Sequence, residues 1–142
     1  MEIENFKHKI SIKVRFSDLD AMGHVNNASY LSYLEEARLA YYNQVLKADT
    51  NNLEFNAVIA RIEIDYVDQI KLGDPVEIYT RTSKVRNKSS DVEHLIVVNN
   101  NGNKKIAAKA VTKLVSFDYI NNRSIPVTDE SKKQIEEFEK GG

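Results

Sequence analysis

The sequence predicts an α+β fold in which an antiparallel sheet of about five strands wraps around one long helix. Three observations predict it. Residues 27–45 repeat their apolar side chains at helical spacing, residues 10–16 and the Val-, Ile- and Tyr-rich segments after the helix read as strands, and short turns join those later segments. The chain has 142 residues, a length typical of one domain spanning 1–142.

Residues 10–16, Ile-Ser-Ile-Lys-Val-Arg-Phe, alternate strictly between apolar and polar and predict a half-buried first strand. A polar stretch follows, from Ser17 to Asn27. Then Tyr30, Leu31, Leu34, Ala37, Arg38, Tyr41, Tyr42 and Val45 fall on one helical face. Asn26 or Asn27 stands where an N-cap belongs, and neither Gly nor Pro interrupts residues 27–45. Residues 48–52 predict a loop by their Asp-Thr-Asn-Asn content. Residues 57–67, rich in Val, Ile and Tyr, predict the second strand. Gly73-Asp74-Pro75 turns the chain into a third at residues 76–80, and residues 87–90 turn it into a fourth at 92–98. Asn101-Gly102 is a hairpin signal before a last strand over residues 105–117. A short amphipathic helix is expected over residues 128–138, with Asp129 and Glu130 in its first turn.

Twenty Lys plus Arg against twenty-one Asp plus Glu leave a net charge of -1, which gives no overall drive toward nucleic acid or an anionic membrane. There is no cysteine, so disulfides, thiolate nucleophiles and Cys-ligated metal sites are excluded. The first ten residues contain no apolar signal region and no stretch approaches a membrane span, so the cytosol is the expected location. The three histidines, at positions 8, 24 and 94, lack metal-ligand spacing.

Polar groups crowd the junction between the first strand and the helix: Asp18, Asp20, His24, Asn26 and Asn27. A helix start offers unpaired N–H groups and the positive end of a dipole. A carboxylate facing that point suits acyl transfer, in which a carbonyl oxygen gains charge while the carboxylate attacks or activates water. By spacing alone a second reading stands beside it, in which the aspartates support a turn and the asparagines cap the helix.

The run Arg15-Phe16-Ser17-Asp18-Leu19-Asp20-Ala21-Met22-Gly23-His24-Val25-Asn26-Asn27 and on to Leu31 closely resembles the signature of the hotdog-fold acyl thioesterases. The hydroxybenzoyl-coenzyme A thioesterase-like family is nearest, together with the plant acyl-carrier-protein thioesterases, which share the His-Val-Asn-Asn run. Downstream, residues 60–66, Ile70-Lys71-Leu72-Gly73-Asp74, Val115-Ser116-Phe117-Asp118 and Ile125-Pro126 are similar to later family segments, so that the resemblance covers residues 8 to 130.

The resemblance implies a hotdog fold and Asp20, the second aspartate of the Asp-x-Asp motif, as the catalytic carboxylate, nucleophile or general base. Asp18 is then structural and His24 has a supporting place at the substrate. Asn26, Asn27 and Ala28 begin the helix whose N–H groups polarise the thioester carbonyl. Plant-type enzymes have Asn two residues after the catalytic Asp, where this chain has Met22. Arg86 and Lys88 fall near the turn where relatives hold coenzyme A phosphates, and basic side chains match that ligand; an ordinary solvated hairpin is the other reading. Glu35 and Glu36 read as a solvated or dimer-facing surface, and the helix tyrosines as core or acyl-pocket lining.

Implied overall is hydrolysis of an acyl-coenzyme A or acyl-carrier-protein thioester to a carboxylic acid and a thiol, with no metal or redox cofactor. A non-catalytic acyl-binding module on the same fold is the alternative. A hotdog dehydratase is disfavoured, because Asp20 and His24 are not joined by its Asp-x-Asn-Pro-x-His pattern. Two sheet edges and the apolar strand at 57–67 lead us to expect at least a homodimer, with tetramers of such dimers allowed, and residues 60–66 facing the partner's Asp20 loop.

Overall fold

The computed structural model describes residues 2–47 and 56–141; the loop expected at 48–52 lies outside them. Strand β1 (His8–Lys13) leads through a 3-10 turn (Phe16–Asp18) into helix α1 (Asn27–Val45). Strands β2 (Ala57–Tyr66), β3 (Pro75–Val85), β4 (Ser89–Asn100) and β5 (Asn103–Asp118) follow, then a two-residue β6 (Arg123–Ser124) and helix α2 (Asp129–Lys140). The strands lie in the order β1-β3-β4-β5-β2, with β6 on the end of β5, and the pairings described are all antiparallel. Asn101 and Gly102 both have positive φ, +54° and +91°, the backbone of a two-residue hairpin whose twist matches that of its strands.

The curled sheet takes α1 against one face. Leu34, Ala37, Tyr30 and Tyr33 of the helix meet Ile12, Val76, Ile78, Ile96 and Ala108 of the sheet in one cluster. Leu34 is fully buried, and truncating such a side chain to Ala costs about 2–5 kcal/mol. Tyr33 occupies the buried stripe where the helical pattern had placed Leu31, which is 42% exposed. A phenol is preferred there because its hydroxyl finds a buried carboxylate, described below. At the far end of α1, the Glu139 carboxylate of α2 accepts hydrogen bonds from the Tyr41 hydroxyl (2.5 Å) and the Thr82 N–H (3.0 Å). The Thr128 hydroxyl caps α2 by accepting from the Ser131 N–H.

Strand β1 runs over His8–Lys13 rather than over residues 10–16. Its last pair is Lys13 with Pro75, and proline has no N–H to continue a ladder. The Arg15 N–H turns instead to the Asp18 carboxylate. Phe16 consequently leaves the core and is 82% exposed. This early exit positions the loop that joins β1 to α1. No described helix is long and apolar enough to cross a membrane.

Candidate active site

The two aspartates of the β1–α1 loop are used differently. Asp18 is buried. Its Oδ2 accepts from the Arg15 N–H (2.9 Å) and the Tyr33 hydroxyl (2.7 Å), and its Oδ1 faces the Arg15 guanidinium at 3.5 Å. Burial pushes its acid upward, but these donors and the arginine charge outweigh burial and hold it below the usual carboxylate range. The Asp18 carbonyl accepts from the Asn26 N–H (2.8 Å) and the Ser29 hydroxyl (3.0 Å), tying the loop to the helix start. Every polar group of Asp18 thus serves structure.

Asp20 is exposed. Its Oδ1 accepts from the N–H groups of Met22 (2.9 Å) and His24 (3.2 Å). Its own N–H and carbonyl close a tight turn with the His24 carbonyl (2.7 Å) and the Gly23 N–H (3.1 Å). Gly23 sits at φ +83°, where a side chain would be strained. Among the described residues Oδ2 of Asp20 meets no hydrogen-bond donor. Met22, the departure from the plant-type pattern, contributes its backbone N–H to the aspartate while its side chain is 78% exposed.

At the helix start Asn26 is the N-cap, its side chain accepting from the Ala28 N–H at 2.9 Å. The Asn26 N–H is engaged by Asp18 and the Ser29 N–H by the Asn26 carbonyl. That leaves the Asn27 N–H without an acceptor among the described residues. Its peptide unit is polarised from behind, because the Asn26 carbonyl accepts the Ser29 N–H at 2.9 Å. Of Asn26, Asn27 and Ala28, Asn27 therefore carries the open donor.

Asp20, His24 and Asn27 line one groove of about 480 Å³ with Val25, Tyr30 and residues 66–69. The far wall arrives because β2 pairs with β5 up to Tyr66 opposite Ala108. The chain then bends over Ala107, whose carbonyl accepts from Val67 and Asp68, and Ile70 accepts from the Val25 N–H. Tyr66 donates its hydroxyl to the Asn27 carbonyl at 3.3 Å and sets its ring edge-to-face on Tyr30 at 5.0 Å. The end of β2 thus stands against the helix start of its own chain, beside its own Asp20. Asp68 is paired with Lys105 at 2.7 Å, and that contact leads in holding its acid below the usual range.

The structure does not bring Arg86 and Lys88 to this groove within one chain. The Asp20 loop meets the turn that leads into β3 through the bridge between His24 and Lys71, whereas Arg86 follows the last residue of that strand. Eleven residues of strand span roughly 35 Å. Arg86 is engaged bidentately by Asp91, both contacts at 2.8 Å, and lines a separate cavity of about 630 Å³ with Lys132 and Lys140 of α2. Lys88 is exposed. The remaining histidines, His8 and His94, are buried in the core. Among the described residues no cluster of three His, Asp or Glu side chains is arranged to hold a metal ion.

Tyr30, read from the sequence as core or acyl-pocket lining, does line the groove, whereas sequence reasoning did not place Val25, Tyr66, Val67, Asp68 and Gln69 in this chain's own site. The register of β2 against β5 brings the last four there, and a pairing of residues 57–67 with 105–117 would have been the signal.

Over nearly its whole length the chain is similar to several proteins. The long-chain acyl-CoA thioesterase FadM of Escherichia coli is 30% identical over 132 residues, covering 91% of this chain and 97% of the relative. The uncharacterized protein YsmA of Bacillus subtilis is 30% identical over 131 residues, covering 92% and 85%. A crystal structure of a Thermus thermophilus thioesterase complexed with coenzyme A and zinc superposes with a TM-score of 0.87 at 36% identity, covering 97% of this chain and 98% of that one. The model of the thioesterase-like superfamily matches residues 14–135, and the chain belongs to that superfamily.

Proposed function

We propose that the chain is a thioesterase that hydrolyses acyl-coenzyme A esters to a carboxylic acid and coenzyme A. One observation carries the reading: Asp20, a carboxylate with an open oxygen, and Asn27, an N–H with no acceptor among the described residues, line the same groove. In that arrangement Oδ2 of Asp20 takes a proton from water as the water oxygen bonds to the thioester carbon. Charge gathers on the carbonyl oxygen and is met by the Asn27 N–H. The carbon–sulfur bond then breaks, and the thiolate recovers the proton from Asp20. The exposure of Asp20 favours this general-base route over attack by the carboxylate itself, since water already has access to its free oxygen. His24, which lines the groove, contacts the substrate, and Asn26 and Ala28 hold the helix start in shape. Coenzyme A is favoured as the leaving thiol because FadM is named for acyl-CoA and the Thermus protein was crystallised with coenzyme A.

We further propose a homodimer joined along β2. That strand is a sheet edge and none of its ten residues is buried, although Val58, Ile59, Ile62 and Ile64 are apolar. In such a dimer the partner supplies the basic groups that one chain keeps away from its own groove, and Arg86 and Lys88 are candidates for the coenzyme A phosphates on that footing.

Thiol release from octanoyl, lauroyl and benzoyl coenzyme A, with the matching acyl-carrier-protein esters alongside, tests the reading. Turnover of at least one coenzyme A ester is expected, faster than that of its carrier-protein counterpart. Tight binding of the esters without thiol release would instead identify an acyl-binding module.

A further inference from the structure

We propose that the hydroxyl of Tyr30 is a second donor to the thioester oxygen, so that one backbone N–H, from Asn27, and one phenol stabilise the oxyanion together. This rests on the hydrolase reading above and adds a catalytic residue to it. A buried tyrosine hydroxyl ordinarily finds a partner, and its neighbours on α1 follow the rule: Tyr33 donates to Asp18 and Tyr41 to Glu139. Tyr30 is only 3% exposed, and its hydroxyl has no hydrogen bond among the described residues, yet it is not one of the sealed, unpaired polar atoms of the core. Tyr30 lines the Asp20 groove, so the hydroxyl is a donor open to whatever occupies the groove, water or ester.

The helix geometry places the phenol where it is needed. Tyr30 follows Asn27 by three residues and shares its face. Helical side chains lean toward the N-terminus, which carries the Tyr30 ring over the turn that presents the Asn27 N–H. Tyr66 braces that ring edge-to-face at 5.0 Å and does not compete for its proton, because the Tyr66 hydroxyl is committed to the Asn27 carbonyl. Asp68, whose charge reaches the phenol, is held by Lys105. Burial first, and then Tyr66 and Asp68, push the Tyr30 phenol upward, so it remains a protonated donor through the neutral range. An oxyanion has lone pairs for more than one donor, and a single backbone N–H leaves them incompletely met.

Removing the hydroxyl in Tyr30→Phe is expected to lower kcat by on the order of a hundredfold, with KM and thermal stability little changed. The test uses whichever of octanoyl, lauroyl and benzoyl coenzyme A the unaltered chain turns over fastest, labelled with heavy carbon at the carbonyl. Bound to Asp20→Asn, this ester should show its carbonyl stretch moved to lower frequency. Adding Tyr30→Phe should return part of that shift, and Tyr41→Phe, at the far end of α1, should not. Should Tyr30→Phe fail to fold, a fluorotyrosine at position 30, a stronger donor, is expected to lower the stretch further. An unchanged kcat and stretch in Tyr30→Phe, or an unmoved stretch with fluorotyrosine, overturns the proposal while a disabled Asp20→Asn leaves the hydrolase reading standing. Full turnover in Asp20→Asn, or no turnover of any ester by the unaltered chain, overturns both.

Discussion

The Tyr33 hydroxyl donates to the Asp18 carboxylate across 2.7 Å of buried space, and this bond holds the loop from which Asp20 projects. Two aspartates with one residue between them are thereby separated in role. Asp18→Asn removes a charge-assisted acceptor and should lower stability by about 1.5–3 kcal/mol, read as a lower midpoint in urea. Asp20→Asn should leave that midpoint in place and lower kcat by about a hundredfold or more. Equal loss of stability in the two variants would contradict the division.

The route of oxygen follows from the open Oδ2 of Asp20. With enzyme in excess over ester in heavy-oxygen water, a general base sends the label directly into the product acid and leaves the protein mass unchanged. Label recovered in the peptide containing Asp20 would show that the carboxylate had attacked the thioester itself.

Stability should fall as the medium is acidified below neutrality, because of His94. Burial, followed by the charges of Arg38 and His8, pushes its imidazole down to about 3, while the unfolded chain titrates near 6.5. The Thr80 hydroxyl lies 2.9 Å from its Nδ1. The native state therefore holds His94 neutral, and the unfolded state takes up a proton between these values. The contribution of His94 is complete above pH of about 6.5 and is lost progressively toward about 3, by a few kcal/mol in all. His8, also lowered by burial, acts in the same direction. Urea midpoints across this range should decline, and less steeply in His94→Gln. A flat profile in the unaltered protein would contradict this account.

Local chemistry made much of the fold legible. The Asn-Gly hairpin, the Asn26 cap and the Val-, Ile- and Tyr-rich runs of the later strands each act over a few residues, and each forms where its pattern lies. The errors came from interactions with remote residues. Strand β1 ends early because its partner there is Pro75, and Tyr33 displaces Leu31 because Asp18 awaits its hydroxyl. The position of Asp20 and the helix start was readable from their shared loop. The opposite wall, Tyr66 to Gln69, depends on a strand register that no local pattern encodes, and so does the distance of Arg86 from the groove.

The last expectation concerns assembly. Strand β2 carries an apolar row with Ile59 at 48% exposed, and among the described residues no strand lies along its outer edge. An open edge of that length attracts another chain unless it is covered. Pairing two β2 strands about a two-fold axis satisfies both edges with the same contacts, because each strand meets its own copy. The chain should therefore scatter light as a dimer over a wide dilution series, with activity falling only where the dimer dissociates. Charge placed in the row tests the contact: Ile59→Lys should weaken association and leave the groove residues in place, since the side chain is distant from Asp20 along the strand. A fully active monomer, or Ile59→Lys without effect on association, would place the interface elsewhere.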